Sequence, residues 1–295
     1  MAAHHRTGLS EATGLKTRVQ AISDLYVALA GRIAEKLNSP RVRTLHVPPA
    51  TGTKDAEFCA LELEDGAIGF SYILLAGTEA ALRERYGENS VAGMDALTLA
   101  RGFADRDPVA RAIGFATINA LSQQLYARAG WTPPDSGDPL GAIDPRPGEH
   151  IGMIGLFTPL LPAIERAGAR LTVLELKEAL VRDEGNMRVT TDPAALADCT
   201  KVLSTCTVLL NDTLDDVLAA CRNAHHFAVV GPTAGCIPDP LFARGVHALG
   251  GRRVTDRARF LEAFRKGEKW GAYASKYVLE SKDYPGLDQL LARVR

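Results

Sequence analysis

The chain has 295 residues, 46% hydrophobic and 23% charged, enough apolar material for one large or two ordinary cores without disulfide or metal staples. A formal net charge of −1 excludes the basic footprint of a nucleic-acid binder and gives no attraction to an anionic membrane surface. No stretch reaches the roughly 18 apolar residues of a membrane span, the start lacks the apolar core of a secretory signal, and five cysteines fall without regular spacing. Together these predict a cytoplasmic protein with free thiols.

Residues 10–38 read as an amphipathic helix. Leu15, Val19, Ile22, Leu25, Leu29, Ile33 and Leu37 recur at three- and four-residue steps, Ser10 stands at the start, and Asn38-Ser39-Pro40 ends the pattern. Strand-like runs follow at 41–47, 57–63 and 67–75, the last two joined by Glu64-Asp65-Gly66 as a hairpin turn. Helices are predicted over 94–104 and 108–130. Asp107 caps the second, Pro108 takes its first position and Gly130 stops it. Strands followed by helices make residues 1–130 a small α+β unit. Five prolines and three glycines between 131 and 150 predict an inter-domain linker over 131–149.

From residue 150 short apolar strands alternate with helices. Strands are predicted at 150–157, 170–176, 200–205 and 226–232, with a last one drawn from Val246–Asp256. Helices are predicted from Thr158-Pro159 to Ala167, from Asp192-Pro193 to Asp198, and over 212–224, 239–245 and 256–267. This alternation implies a parallel sheet covered on both faces across residues 150–295, so the chain is α/β with a smaller α+β domain in front.

In an open parallel sheet, ligands bind beyond the carboxyl ends of the strands, where strand order reverses. Three predicted strand ends share a small, polar character: Gly155, Phe157 and Thr158 in "GLFTP"; Thr205, Thr207, Asn211 and Thr213 in "STCTVLLNDT"; and Gly231, Pro232 and Thr233 in "GPTAGC". Glu175 ends the second strand, where dinucleotide-binding folds place an acid against ribose hydroxyls. Helices starting near Pro159 and Asp212 aim free N–H groups into the same region. Each residue also has a local reading. Thr158 and Asp212 suit helix caps, Ser204 and Thr205 suit strand-end backbone partners, and Gly231-Pro232 suits a turn. "GMIGLFTPL" supplies Gly152 and Gly155 without a third glycine, which argues against NAD. No P-loop, GxSxG, HExxH or CxxC occurs, and no nucleophile–base pair stands out.

Cys206 and Cys236 lie on loops after neighbouring strands, with Glu175 across the cleft. The three form a candidate ligand set for a transition metal. Cys199 and Cys221 read as packing residues. His150, His225 and His226 fall at the amino edge of the sheet, away from the cleft, and read as structural. His46 belongs to the amino-terminal sheet, and His4 and His5 to the chain start. The aromatic tail with Trp270, Tyr273, Lys276 and Tyr277 reads as a packing stripe, a cover over the cleft or a homodimer contact.

Taken together, "IGMIGLFTPLLPAI", "VLEL", "LADCTKVLSTCTVLLNDTLDDVL" and "VVGPTAGCIPDPLFARGVHALGG" resemble the "putative heavy-metal chelation" domain family, and "AIGFSYILLAG" and "DPVARAIGFATINAL" resemble its amino-terminal partner domain. The resemblance covers roughly residues 40–265. It implies a Rossmann-like carboxyl-terminal domain behind a smaller domain like the first domain of enolase, and it implies metal handling. The matching positions are Gly155, Phe157, Glu175, Thr205–Thr207, Asn211, Thr213 and Gly231-Pro232-Thr233. This chain departs at Cys206 and Asp212, where the family usually has glycine. The small domain of enolases helps close their site, which makes Asn119 the candidate from that side, unless it pins a buried helix contact. The expectation is a small-ligand or metal-binding protein of metal homeostasis or metallocofactor assembly. The alternative is an enzyme acting on a small polar or metal-chelating molecule in the inter-domain cleft.

Overall fold

The computed structural model describes residues 20–87, 89–137, 140 and 142–295. The amino-terminal end of the first predicted helix, with Ser10, Leu15 and Val19, and His4 and His5 lie outside the described residues. Within them, α1 (Ile22–Lys36) buries Ile22, Tyr26, Ala30 and Ile33 along one stripe, as the apolar spacing requires. It runs into β1 (Val42–His46), β2 (Phe58–Leu63) and β3 (Ile68–Tyr72), an antiparallel sheet in the order β1-β2-β3. Gly66 takes φ +95° in the hairpin turn, and the Ala67 N–H donates to Asp65 Oδ1 at 3.0 Å.

After α2 (Thr78–Arg85) and α3 (Ala96–Ala100) comes α4 (Pro108–Arg128). Asp107 caps α4 by accepting the Val109 N–H at 3.3 Å, and Gly130 turns out of it at φ +61°. Almost every residue of α4 from Val109 to Tyr126 is buried. Its sequence has no broad polar face, and a helix apolar all round belongs in a core. One side lies directly on β3, where a Cβ at Gly69 would come within 2.2 Å of Ala116 O and Ala120 N.

The second sheet contains β4 (His150–Ile154), β5 (Arg170–Leu174), β6 (Arg182–Glu184), β7 (Met187–Thr190), β8 (Lys201–Thr205), β9 (His226–Val230), β10 (Ala248–Val254) and β11 (Ala274–Glu280). The spatial order is β11-β10-β9-β8-β4-β5-β7-β6. Neighbours from β10 to β7 run parallel, and β11 and β6 close the two edges antiparallel. Helices α5 (Leu161–Arg166), α6 (Leu214–Ala220), α7 (Asp239–Phe242), α8 (Arg257–Lys266) and α9 (Leu287–Arg293) complete the chain. Asp256 caps α8 through the Arg259 N–H at 3.1 Å.

Several local expectations are corrected. No side chain caps the 3₁₀ turn that opens at Thr158. The helix read from Asp212 starts at Leu214, also without a side-chain cap. The stretch after Asp192 is a 3₁₀ turn, although Asp192 does cap it, accepting the Ala194 N–H at 2.9 Å. The β6–β7 hairpin was hidden by its charge, since "RDEGNMR" offers little apolar alternation. The aromatic tail divides: Lys276 and Tyr277 lie in the edge strand β11, whereas Trp270 and Tyr273 precede it and pack with Phe70 and Phe260. The proline-rich segment is itself docked: Ser136 N–H donates to Lys276 O at 2.9 Å, and Leu140 and Ile143 share a core with Ile151 and Met153.

The far face of the small sheet is covered by α8 and the tail. Trp270 stacks on Phe70 with centroids 5.2 Å apart, Phe260 meets Phe70 edge-on at 5.4 Å, and Trp270 Nε1 donates to Asp55 O at 2.9 Å. The amino-terminal sheet is therefore held between its own α4 and the carboxyl-terminal α8. No helix among the described residues is long and apolar enough to cross a membrane.

Candidate functional site

The chain leaves β4 for β5 and β7 on one side, then returns to β8, β9 and β10 on the other. Strand order therefore reverses between β4 and β8, and the crevice beyond their carboxyl ends is the position that open α/β sheets use for ligands. Gly155 stands there with φ +80°, its N–H donating to Leu174 O at 2.9 Å. A Cβ on it would meet Thr205 Cγ2 at 3.3 Å, so the ends of β4 and β8 touch. Thr205 Oγ1 accepts the Thr207 N–H at 3.3 Å and lies 3.2 Å from Thr207 Oγ1, capping the 3₁₀ turn Cys206–Leu209. Gly231, at φ +142°, brings the end of β9 against Cys206: a Cβ there would lie 2.7 Å from Cys206 Sγ. Three strand ends singled out in the sequence thus meet at one place, with Pro232 and Thr233 continuing the third.

Glu175 spends most of its acceptor capacity on backbone N–H groups. Oε2 accepts the Leu156 N–H at 3.2 Å, and Oε1 accepts those of Leu176 at 2.9 Å and Lys177 at 3.3 Å. The carboxylate staples the β4 loop to the β5 loop. Phe157 packs its ring partly against the β4–β5 core, and Thr158 is exposed.

Asn211 and Thr213 form a turn of their own, with Asn211 Oδ1 accepting the Thr213 hydroxyl at 2.7 Å. Between them Asp212 takes φ +57° and pairs with Arg111 at 2.6 Å. Arg111, buried in the first turns of α4, also donates to Leu210 O at 3.0 Å, Leu209 O at 3.3 Å and Asp105 O at 3.3 Å, and lies over the Phe103 ring. Asp212 is therefore an ion-pair partner across the two units. It lines an open cavity of about 640 Å³ that includes Asp24, Asp105 and Arg111. Sequence reading missed Arg111; its one signal was a charge inside an otherwise apolar helix.

Asn119 takes the second of the two readings open to it and pins a buried helix contact. It is fully buried, and its amide nitrogen donates to Phe70 O and Thr233 O, both at 2.7 Å. The helix continues this grip on the loop after β9. Gln123 Nε2 donates to Gly235 O at 3.0 Å, Ser122 Oγ accepts the Ile237 N–H at 3.1 Å, and Tyr26 OH donates to Ile237 O at 3.0 Å.

The cysteines do not form the anticipated metal centre. Cys236 Sγ donates to Tyr26 OH at 3.1 Å, and burial pushes its thiol up to about 12. Burial outweighs the hydrogen bonds offered to Cys206, whose thiol rises to about 11. Both thiols are thus held protonated in the metal-free protein, and a metal would have to displace those protons. Glu175 is largely occupied, and no group of three or more His, Cys, Asp or Glu among the described residues is placed to hold a metal ion. Cys199 and Cys221 are buried in the core. His150 bonds Thr172 Oγ1 and Arg170, both at 2.8 Å, as a structural residue would.

The amino-terminal unit contributes two groups that sequence reading passed over. Tyr72, at the end of β3, has its phenol pKa raised by burial and then by the negative charges of Glu57 and Glu175 and by Cys206. It therefore stands near the strand-end cluster. Burial also raises the Glu57 carboxyl, against the pull of Lys54 and Lys177. Glu57 precedes β2 and accepts the Ile73 N–H on its backbone oxygen at 2.9 Å, which fixes it beside Tyr72. Nothing in the local sequence distinguishes it from an ordinary strand-start acid.

Comparison with known proteins bears on both units. A protein of unknown function from Pyrococcus horikoshii has the same fold with a TM-score of 0.63, 20% identity, and coverage of 87% of this chain and 99% of that one. A second, from Desulfitobacterium hafniense, gives 0.64 and 19%, with 88% and 97% covered. At such identity the likeness is one of fold. An uncharacterised protein of Methanocaldococcus jannaschii is 28% identical over 151 residues, and the matched stretch spans 51% of this chain and 57% of that relative. Two family models match, at residues 56–122 and 138–282, and both carry the description "Putative heavy-metal chelation". Both solved structures come from the family matched at 138–282, and it is to this "Putative heavy-metal chelation" family that the chain belongs.

Proposed function

We propose that the chain binds a small polar ligand in the crevice between β4 and β8, and that the ligand is itself of metal-chelating character. The observation that carries this reading is the reversal of strand order between β4 and β8, the position at which open α/β sheets take ligands, with Gly155 against Thr205 and Gly231 against Cys206 beside it. The family description supplies the link to metals. Among the described residues no set of donors makes a metal cage, so in this reading the metal would enter as part of a chelate. We place such a protein in the cytoplasm, where its five free cysteines remain reduced, serving metal homeostasis or metallocofactor assembly. In this reading the two units are a Rossmann-like domain over residues 150–295 and an enolase-like cover over residues 1–130.

An enzyme acting on the same ligand is the second reading. It is favoured by Glu57, a half-buried carboxyl beside Tyr72 whose pKa burial raises, since perturbed carboxyls are candidates for proton transfer.

Native mass spectrometry of freshly purified protein, compared with its denatured mass, tests the proposal. An organic mass excess, with or without a metal, is the expected result, and Thr205→Val should reduce it. A bare metal excess that survives Thr205→Val would overturn the crevice site. Glu57→Gln separates the two readings: a binding protein keeps its ligand unchanged, whereas an enzyme accumulates unconverted ligand.

A further inference from the structure

We infer that a cluster of internal water molecules sits where β3, α4 and the loop 231–236 meet, and that it ties this loop to the core. The inference stands whether or not the crevice beside it binds a ligand.

The geometry fixes the relevant atoms. The Asn119 amide nitrogen donates to two carbonyls, Phe70 O and Thr233 O, each at 2.7 Å. Reversing the amide would aim its oxygen at both carbonyl oxygens, which removes the usual ambiguity of amide orientation. Oδ1 can only accept, and it is buried without a partner. One turn later Gln123 repeats the pattern: its nitrogen donates to Gly235 O at 3.0 Å, and Oε1 is buried without a partner. The hydroxyls of Ser71 and Thr233 belong to fully buried residues, and Ser71 Oγ also lacks a partner. Ser71 follows Phe70, and Thr233 carries the second carbonyl, so both flank the Asn119 amide. The Thr233 hydroxyl lies by the Cys206 thiol, a weak acceptor that leaves the oxygen's own lone pairs unused.

Two acceptor-only oxygens on α4, and two hydroxyls on the segments that α4 holds, are therefore buried at the junction of β3, α4 and the loop 231–236. Left alone, each forfeits its hydrogen bonds to solvent with no return. The missing partner must donate, accept and fit a packed interior. Water meets all three conditions. A monovalent cation would satisfy the amide oxygens but not the hydroxyl donors, and none of the four groups carries a charge to balance it. Interior waters gather at such unsatisfied groups, at about one per 27 residues.

A crystal structure of the full chain, at a resolution that shows ordered water, tests this. About two peaks bridging Asn119 Oδ1 and Gln123 Oε1 to the Ser71 or Thr233 hydroxyl are expected. A dry junction, with these atoms bonded directly to one another, would overturn the inference. So would a peak ringed by acceptors alone at contacts too short for water. In solution, oxygen-17 magnetic relaxation dispersion counts long-lived waters. The near-isosteric Thr233→Val should lose about one relative to the native chain, and an unchanged count would equally overturn the assignment.

Discussion

Gly231 shows how tightly single residues set the packing of the strand ends. Its backbone lies in the left-handed half of conformational space at φ +142°, and a side chain there would press on Cys206 Sγ. Gly231→Ala should cost about 1–3 kcal/mol from overpacking alone, with backbone strain in addition. Adding Cys206→Gly should recover the steric part and leave the strain. Urea denaturation of the two single variants and the double variant measures this, and purely additive costs would show that the sulfur is not the obstacle. The same pair explains why a cysteine is tolerated at residue 206: the glycine opposite makes room for it.

Between elements, the small sheet and α8 are joined by one buried carboxylate. Glu62, 1% exposed, lies 3.0 Å from His46 Nε2, 3.1 Å from Arg43 Nε and 2.8 Å from Arg257 Nε. Burial alone would raise its pKa, but the hydrogen bonds from His46 and Arg257 and the Arg257 charge hold it below the ordinary carboxylate value. The stabilisation is therefore present above the unfolded-state pKa of about 4.3 and is lost as pH falls through the lower folded-state value. Glu62→Gln should cost about 1–3 kcal/mol near pH 7, typical of charge-assisted hydrogen bonds and held to the low end because both arginines are half-exposed. The gap between native and variant urea midpoints should close towards pH 3. A gap that stays constant with pH would place the stabilisation elsewhere.

At the scale of the whole molecule, α4 is shared property. It carries the small sheet on one side, receives Asp212 through Arg111, and holds the loop after β9 through Asn119, Ser122 and Gln123. With α8 and Trp270 closing the far face of the same sheet, neither unit keeps its core when the other unfolds. A single cooperative transition is expected, with tryptophan fluorescence and far-ultraviolet circular dichroism superimposing. Two separated transitions would show that residues 1–130 fold as an independent domain.

The alternation of apolar strands and helices after residue 150, the cap at Asp107, the element starts at Asp192 and Asp256, and the small polar strand ends were legible because each depends on local chemistry: periodicity, side-chain capping and turn preference. The family motifs told as much about the class of fold. The sequence by itself could not separate a ligand contact from a positioning contact, because Asn119, Glu175 and Asp212 have the right residue types for either. Which atoms they meet is decided by chain segments as many as 114 residues away. Nor could it show that Cys206 and Cys236 are buried as thiols, that Glu57 sits beside Tyr72, or that Arg111 reaches across to Asp212. Burial and charge proximity arise only when β3, α4 and the parallel sheet close on one another, so the tertiary structure alone decided how the site is held.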